Sequence, residues 1–209
     1  MLADCALRYP DREAMVCGAR RVTFAELDRR ATRLANSLLA EGQALGDRIA
    51  LYLPNGVELI EAMTAVARSG GIIVPISTRL TTDEVRYIFE DCEPSFVFFA
   101  PEFREAAYEA TSGLERTKLV AITEPGSGEL GFERMIETGS ESATPPLPVD
   151  NDDLVIGYTS GTTGNPKGAI NTHRNIICVH GFMNSIEWGL TSTDRTLVTT
   201  PMAHRTGLG

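Results

Sequence analysis

Positive charge, cysteine pairs and long apolar runs are all scarce in this sequence. Its 209 residues hold 19 lysines and arginines against 28 acids, a formal net charge of -9 at pH 7. Nothing in it forms the basic stripe that a nucleic-acid footprint requires, so no nucleic-acid partner is expected. The four cysteines, Cys5, Cys17, Cys92 and Cys178, show neither a metal-type nor a redox CxxC spacing. That excludes a disulfide framework and leaves free thiols. The three histidines, His173, His180 and His204, form no ligand cluster with them. No stretch approaches the ~18 apolar residues of a membrane span. Met1 to Pro10 carries Asp4 and lacks the apolar centre of a signal peptide. A cytoplasmic or loosely peripheral protein is the expectation. What is present, 43% hydrophobic and 22% charged residues, is ordinary for a globular chain with a real core.

The apolar residues alternate between two rhythms. Thr23 and Glu26 have the spacing of a capping box. Phe24, Leu27, Ala31, Leu34, Ala35, Leu38 and Leu39 then recur at helical spacing until Gly42. Arg48 to Leu53 reads as a buried strand ended by Pro54-Asn55-Gly56, Glu58 to Arg68 as a helix, and Ile72 to Ile76 as a strand. A helix opening at Thr82, with acids in its first turn, is followed by strand Ser95–Ala100, helix Phe103–Leu114 and strand Lys118–Ile122. Ala14 to Val22 predicts a small hairpin ahead of the first long helix. Strands alternating with helices imply an α/β fold, a mostly parallel sheet flanked by helices.

Residues 1–138 form the expected first sub-structure. The stretch 139–150, with Pro145, Pro146 and Pro148, reads as a crossing. Residues 151–209 then begin a second αβ sub-structure: strand Asp153–Thr159, a glycine-rich loop, return strand Gly168–Asn171, and a helix capped near Thr172 and running to about Trp188. Met183 and Trp188 on that helix are expected in the core, His173 at its start is expected to be structural, and Arg195–Thr200 reads as a further strand. The chain stops in a glycine-rich loop without a cap or closing element, an odd end for a self-sufficient domain. An unfinished sheet edge there would favour a homodimer.

The chemistry is concentrated between Thr159 and Gly168. Gly161, Gly164 and Gly168 permit positive φ and close approach of a ligand to the backbone. Successive N–H groups in such a turn make an anion-binding nest. Thr159, Ser160, Thr162 and Thr163 add hydroxyls, and Lys167 adds one mobile positive charge. Together they suit a polyphosphate. A Walker loop needs Gly-Lys-Ser/Thr leading into a helix. Here Pro166 precedes the lysine, Gly168 follows it, and a strand comes next. A dinucleotide G-x-G-x-x-G is absent.

The run Tyr158-Thr-Ser-Gly-Thr-Thr-Gly-Asn-Pro-Lys-Gly168 resembles the signature loop of the adenylate-forming (AMP-binding) superfamily. That superfamily includes acyl-CoA and aryl-CoA synthetases, long-chain fatty-acid CoA ligases, firefly luciferase and the adenylation domains of peptide synthetases. Thr172-His173-Arg174-Asn175, Pro201-Met202-Ala203-His204 with Gly207, and Arg48–Asn55 are similar to further family segments. The resemblance covers the whole chain but only the amino-terminal part of the family enzyme.

The resemblance implies ATP-dependent activation of a carboxylate, fatty or aryl, through an acyl-adenylate, followed by thioester formation with coenzyme A. It implies that Thr159, Ser160, Gly161, Thr162, Thr163, Gly164 and Lys167 hold the β- and γ-phosphates of ATP. It also implies that His204 lies near the carboxylate and thioester end of the acyl tunnel, as a catalytic residue. Ala203 stands where the family often has an aromatic residue, which leaves the gating role of that neighbour open. The family's magnesium-holding glutamate, its ribose-binding aspartate and its small carboxy-terminal domain have no counterpart in these residues, so Mg2+ ligands are expected outside this chain. The chain alone is therefore expected to be inactive. Two alternatives stay open: a non-catalytic nucleotide- or partner-binding short protein, and an adenylation domain or fatty acyl-AMP ligase.

Overall fold

The computed structural model describes residues 2–142, 149–159 and 165–204. After a short helix α1 (Leu2–Arg8), strands β1 (Glu13–Cys17) and β2 (Arg20–Thr23) form the antiparallel hairpin that the sequence predicts. Helix α2 (Phe24–Ala40) follows, its first turn held by Thr23 Oγ1, which accepts from the Glu26 N–H at 3.2 Å. The rest is one repeating unit: β3 (Arg48–Tyr52), α3 (Val57–Ser69), β4 (Ile72–Pro75), α4 (Thr82–Cys92), β5 (Phe96–Phe99), α5 (Arg104–Ala110), β6 (Lys118–Ala121), β7 (Leu130–Gly131) and α6 (Phe132–Thr138). The reciprocal capping box belongs to α4. Thr81 N–H donates to Glu84 Oε2 at 2.8 Å while Glu84 N–H donates back to Thr81 Oγ1 at 3.4 Å.

Helix α5 is shorter than the expected Phe103–Leu114. A 3-10 turn occupies Pro101–Phe103. At the far end Thr111 Oγ1 donates to the Ala107 carbonyl at 2.7 Å, and Gly113 takes a φ of 91°. A back-bonding threonine followed by a left-handed glycine ends a helix.

Beyond the crossing, of which residues 143–148 lie outside the described residues, the chain does not start a new sheet. Strand β8 (Asp153–Thr159) pairs in parallel with β4 through Ile73 and Val155, and β9 (Lys167–Thr172) returns antiparallel along it. One seven-stranded sheet results, in the order β7-β6-β5-β3-β4-β8-β9. Each central strand sends alternate residues to opposite faces. Ile49, Leu51, Phe96 and Phe98 pack under α2, α3 and α6, while Ala50, Tyr52, Val97 and Phe99 pack under α4 and α5. Burial on both faces is why these strands read as continuous apolar runs.

Three expectations fail after β9. The single helix to Trp188 is instead α7 (His173–Asn175), a π-helical stretch (Ile176–Met183) and α8 (Asn184–Glu187). Gly181 and the β-branched Ile176 and Ile177 weaken the α-helical choice. Met183 and Trp188 are 59% and 63% exposed and so are not core residues, because no described element covers that face. Residues 195–200 form no strand, since no described strand offers them a ladder. His173 follows the Thr172 cap, its backbone N–H donates to the Asp152 carbonyl at 3.1 Å, and burial lowers its imidazole pKa.

Cys92 is buried, and burial pushes its thiol up to about 12, against the pull of Arg48. Cys17 and Cys178 are exposed. An aromatic disulfide reagent should therefore label Cys17 and Cys178 in the native chain and reach Cys92 only after unfolding. Peptide mass mapping checks this, and native labelling of Cys92 would contradict the packing under α4.

Candidate phosphate-binding site

The hairpin β8–β9 carries the candidate loop. Its register sets Tyr158 opposite Gly168 and Thr159 opposite Lys167, so Thr159 and Lys167 are the last ladder pair before the loop. Directly opposed residues project to one face of a sheet. Tyr158 and Ile156 pack into the core under α4 and α5, and the Tyr158 hydroxyl donates to the Asp91 carboxylate. By alternation Thr159 and Lys167 take the other face, the side of α2, α3 and α6. Both are exposed.

Gly168 is required by this arrangement. A Cβ there would meet Ile156 Cγ2 at 2.8 Å and the Tyr158 ring at 3.4 Å. A side chain at 168 would thus push β9 off Tyr158, the residue that locks the base of the loop to α4. Burial and the Asp91 carboxylate raise the Tyr158 phenol, which therefore stays a neutral donor.

Of the residues assigned to phosphate by the sequence, Thr159 and Lys167 are described. Ser160, Gly161, Thr162, Thr163 and Gly164 lie outside the described residues. The loop springs from the carboxyl end of β8, which runs parallel to β4. In open α/β sheets, ligands bind in the crevice beyond the carboxyl ends of the strands. A cavity of about 470 Å³ opens instead at the amino ends of β3, β5 and β6, lined by Glu41, Arg48, Glu93 and Lys118. Its charges satisfy one another or nearby carbonyls, as in Lys118 to Glu41 at 2.7 Å and Arg48 to the Cys92 carbonyl at 2.6 Å. The carboxyl-end location and the exposed Thr159 and Lys167 at the hairpin mouth make the loop the candidate.

His204 is exposed, in a turn where its N–H donates to the Pro201 carbonyl at 3.0 Å. Sequence reasoning missed what holds that turn. The Asn55 side chain, after the carboxyl end of β3, bonds the backbone of Thr200 and Met202 at 2.9 and 2.8 Å. Its sequence signals were the Pro-Asn-Gly run, read as a turn, and its place at the end of a segment similar to the family's. Met202 packs on the core under α2 and α3, the same face to which Thr159 and Lys167 project. Among the described residues no group of three His, Cys, Asp or Glu side chains could hold a metal ion. No helix among them is long and apolar enough to cross a membrane.

A doubly covered, mostly parallel sheet carries a hydroxyl- and lysine-bearing hairpin at its carboxyl edge. The match to "AMP-binding enzyme" spans residues 2–209, and the chain belongs to that family. It is 35% identical to a feruloyl-CoA synthase of Amycolatopsis over 203 residues, which is 96% of this chain and 38% of that protein. The crystal structure of the anthranilate CoA ligase AuaEII in complex with anthranoyl-AMP superposes with a TM-score of 0.92 at 25% identity, covering 99% of this chain and 40% of that one. ATP-bound MatB from Rhodopseudomonas palustris gives a TM-score of 0.78 at 29% identity, over 90% of this chain and 37% of that one. The chain thus spans well under half the length of these proteins.

Proposed function

We propose that this chain supplies the pyrophosphate-gripping part of an ATP-dependent carboxylate–CoA ligase. One observation carries the reading: the β8–β9 register sets Thr159 and Lys167 side by side at the mouth of the loop, at the carboxyl edge of the sheet. In the first step a carboxylate oxygen attacks the α-phosphorus of ATP, the bond to the β,γ-pyrophosphate breaks, and an acyl-adenylate forms. Negative charge grows on the leaving pyrophosphate. Thr162, Thr163 and Ser160 would donate hydroxyl hydrogen bonds to it, with the loop amides and the Lys167 ammonium. In the second step the thiol of coenzyme A displaces AMP, and His204 lies at that acyl end. Magnesium would neutralise phosphate charge, from ligands outside the described residues.

The carboxylate is aryl or fatty. The similarity to a feruloyl-CoA synthase and to an anthranilate CoA ligase favours an aromatic acid. The remaining elements of the catalytic domain, and a carboxy-terminal domain, would complete the site.

Thr163→Val in the full-length ligase removes one hydroxyl donor to a charged oxygen, about 1.5–3 kcal/mol. ATP–pyrophosphate exchange should slow about 10- to 100-fold, and an unchanged rate sinks the phosphate assignment. This chain alone should form no thioester from ATP, carboxylate and CoA, whereas steady turnover would show that it needs no further elements.

A further inference from the structure

The stretch 191–204 has no ladder to any described strand, so side-chain contacts set its position. Arg12 Nη1 donates to the Ser192 carbonyl at 2.9 Å, and Arg195 pairs with Glu13 at 2.7 Å. At the end that carries His204, the holding group is Asn55. Its Nδ2 donates to the Thr200 carbonyl at 2.9 Å, and its Oδ1 accepts from the Met202 N–H at 2.8 Å.

This pattern has a specific meaning. In a parallel sheet one residue donates to the carbonyl before its opposite number and accepts from the N–H after it. The Asn55 carboxamide does the same across Pro201, so a single side chain takes the place of a strand. Pro201 lacks an N–H, yet in that register its own N–H would point away from the holding group and is not missed. The Pro201 carbonyl is used from the other side, accepting from the His204 N–H at 3.0 Å. Asn55 thus fixes Thr200 and Met202, the turn fixes His204 relative to Pro201, and the Met202 side chain packs on the core. Asn55 itself follows β3, and the phosphate hairpin begins two strands away in the order β3-β4-β8. Two strand spacings are about 10 Å.

We propose that Asn55 is a positioning residue of the ligase reaction: its carboxamide holds the 200–202 backbone so that the His204 turn faces the carboxyl edge of the sheet, where Thr159 and Lys167 end the β8–β9 ladder. The inference rests on the carboxylate-activating reading above. It assigns Asn55 no contact with substrate.

The test uses the full-length ligase with Asn55→Ala, which removes both bonds. It also uses Asn55→Asp, which keeps an acceptor for Met202 N–H but turns an oxygen toward the Thr200 carbonyl. Both variants should exchange the amide hydrogens of the peptide covering 200–204 faster, with β3 to β6 unchanged. Both should lower kcat for pyrophosphate exchange about 10- to 30-fold, with the KM for ATP altered less than about threefold, because the ATP contacts lie elsewhere. His204→Ala added to Asn55→Ala should cost little more than either alone, since both act through one turn.

Unchanged amide exchange would overturn the anchor. Faster exchange with normal kcat, or fully additive losses, would overturn the positioning role. A wild-type ligase that catalyses no pyrophosphate exchange with any fatty or aryl acid would overturn the activity reading and the positioning role with it. The amide-exchange comparison would still decide the anchor on its own.

Discussion

Replacing Glu61 with alanine should lower the unfolding free energy of this chain by about 3 kcal/mol, a fall of about 6–12 °C in Tm for a domain of this size. Glu61 sits on α3 with no exposed side-chain surface. It accepts from Arg30 at 2.7 and 3.1 Å and from Arg20 at 3.3 Å. Arg30 also reaches Glu133 on α6 at 2.6 Å. One carboxylate therefore ties α2, α3 and the β1–β2 hairpin together, with α6 joined through Arg30. Burial raises the Glu61 carboxyl pKa, and the two guanidiniums oppose that rise. The alanine variant leaves Arg30 charged, only 12% exposed, and short of its main partner. Glu133 is 55% exposed and compensates part of the loss, which holds the effect at the low end for a broken buried pair. Glu61→Gln retains the shape and one acceptor and should lose less. Urea denaturation with both variants is the measurement; a loss below about 1 kcal/mol for alanine, the size of an exposed pair, would mean the network is solvated.

Lys167→Ala in the full-length ligase should cut kcat/KM for ATP in the adenylation step about 100-fold or more, the scale of losing one preorganised charge-stabilising donor. Lys167 closes the hairpin opposite Thr159, and no described carboxylate pairs with it. Its ammonium is available to a phosphate. Lys167→Arg keeps the charge but spreads it over a planar fork, and should recover part of the loss. The sequence contains only two lysines, Lys118 and Lys167, and Lys118 is paired with Glu41 at 2.7 Å. An amine-reactive ATP analogue should therefore modify Lys167 within this chain, and excess ATP should protect it. A variant with a normal ATP dependence would remove the lysine from the phosphate site.

The parts of this fold that sequence made legible are those where local signals agree. Phe24 to Leu38 has helical spacing and a capping threonine, and it forms α2. Arg48–Leu53 and Ser95–Ala100 are apolar on both faces, which only a doubly covered sheet satisfies, and they became β3 and β5. Strand Asp153–Thr159 and a return strand from Gly168 were readable on either side of a glycine-rich turn, and they form the β8–β9 hairpin with Thr159 opposite Lys167. Non-local facts were not readable. That β8 would join β4 depends on an edge made by residues far earlier in the chain. Arg195–Thr200 has strand composition but no described ladder, so its backbone is held by side chains instead. Met183 and Trp188 look like core residues by hydropathy, yet their exposure is set by what packs outside them. Asn55 looked like a turn residue because its two partners lie at Thr200 and Met202.

The strand order β7-β6-β5-β3-β4-β8-β9 also has a kinetic side. The units from β3 to β6 are joined by near-consecutive crossovers, so their closure costs little chain entropy. Strand β8 must find β4 across the whole span between Ile73 and Val155, a slow, non-local pairing. During synthesis from the amino end, the body of the sheet is complete before the hairpin exists to dock on it. The same separation works in reverse in the folded protein. The hairpin leans on the body through one parallel neighbour and presents β9 as a largely exposed edge. It can open as a local unit without global unfolding. The β8–β9 hairpin is thus among the last described elements to join the fold and is held to it by a single parallel neighbour.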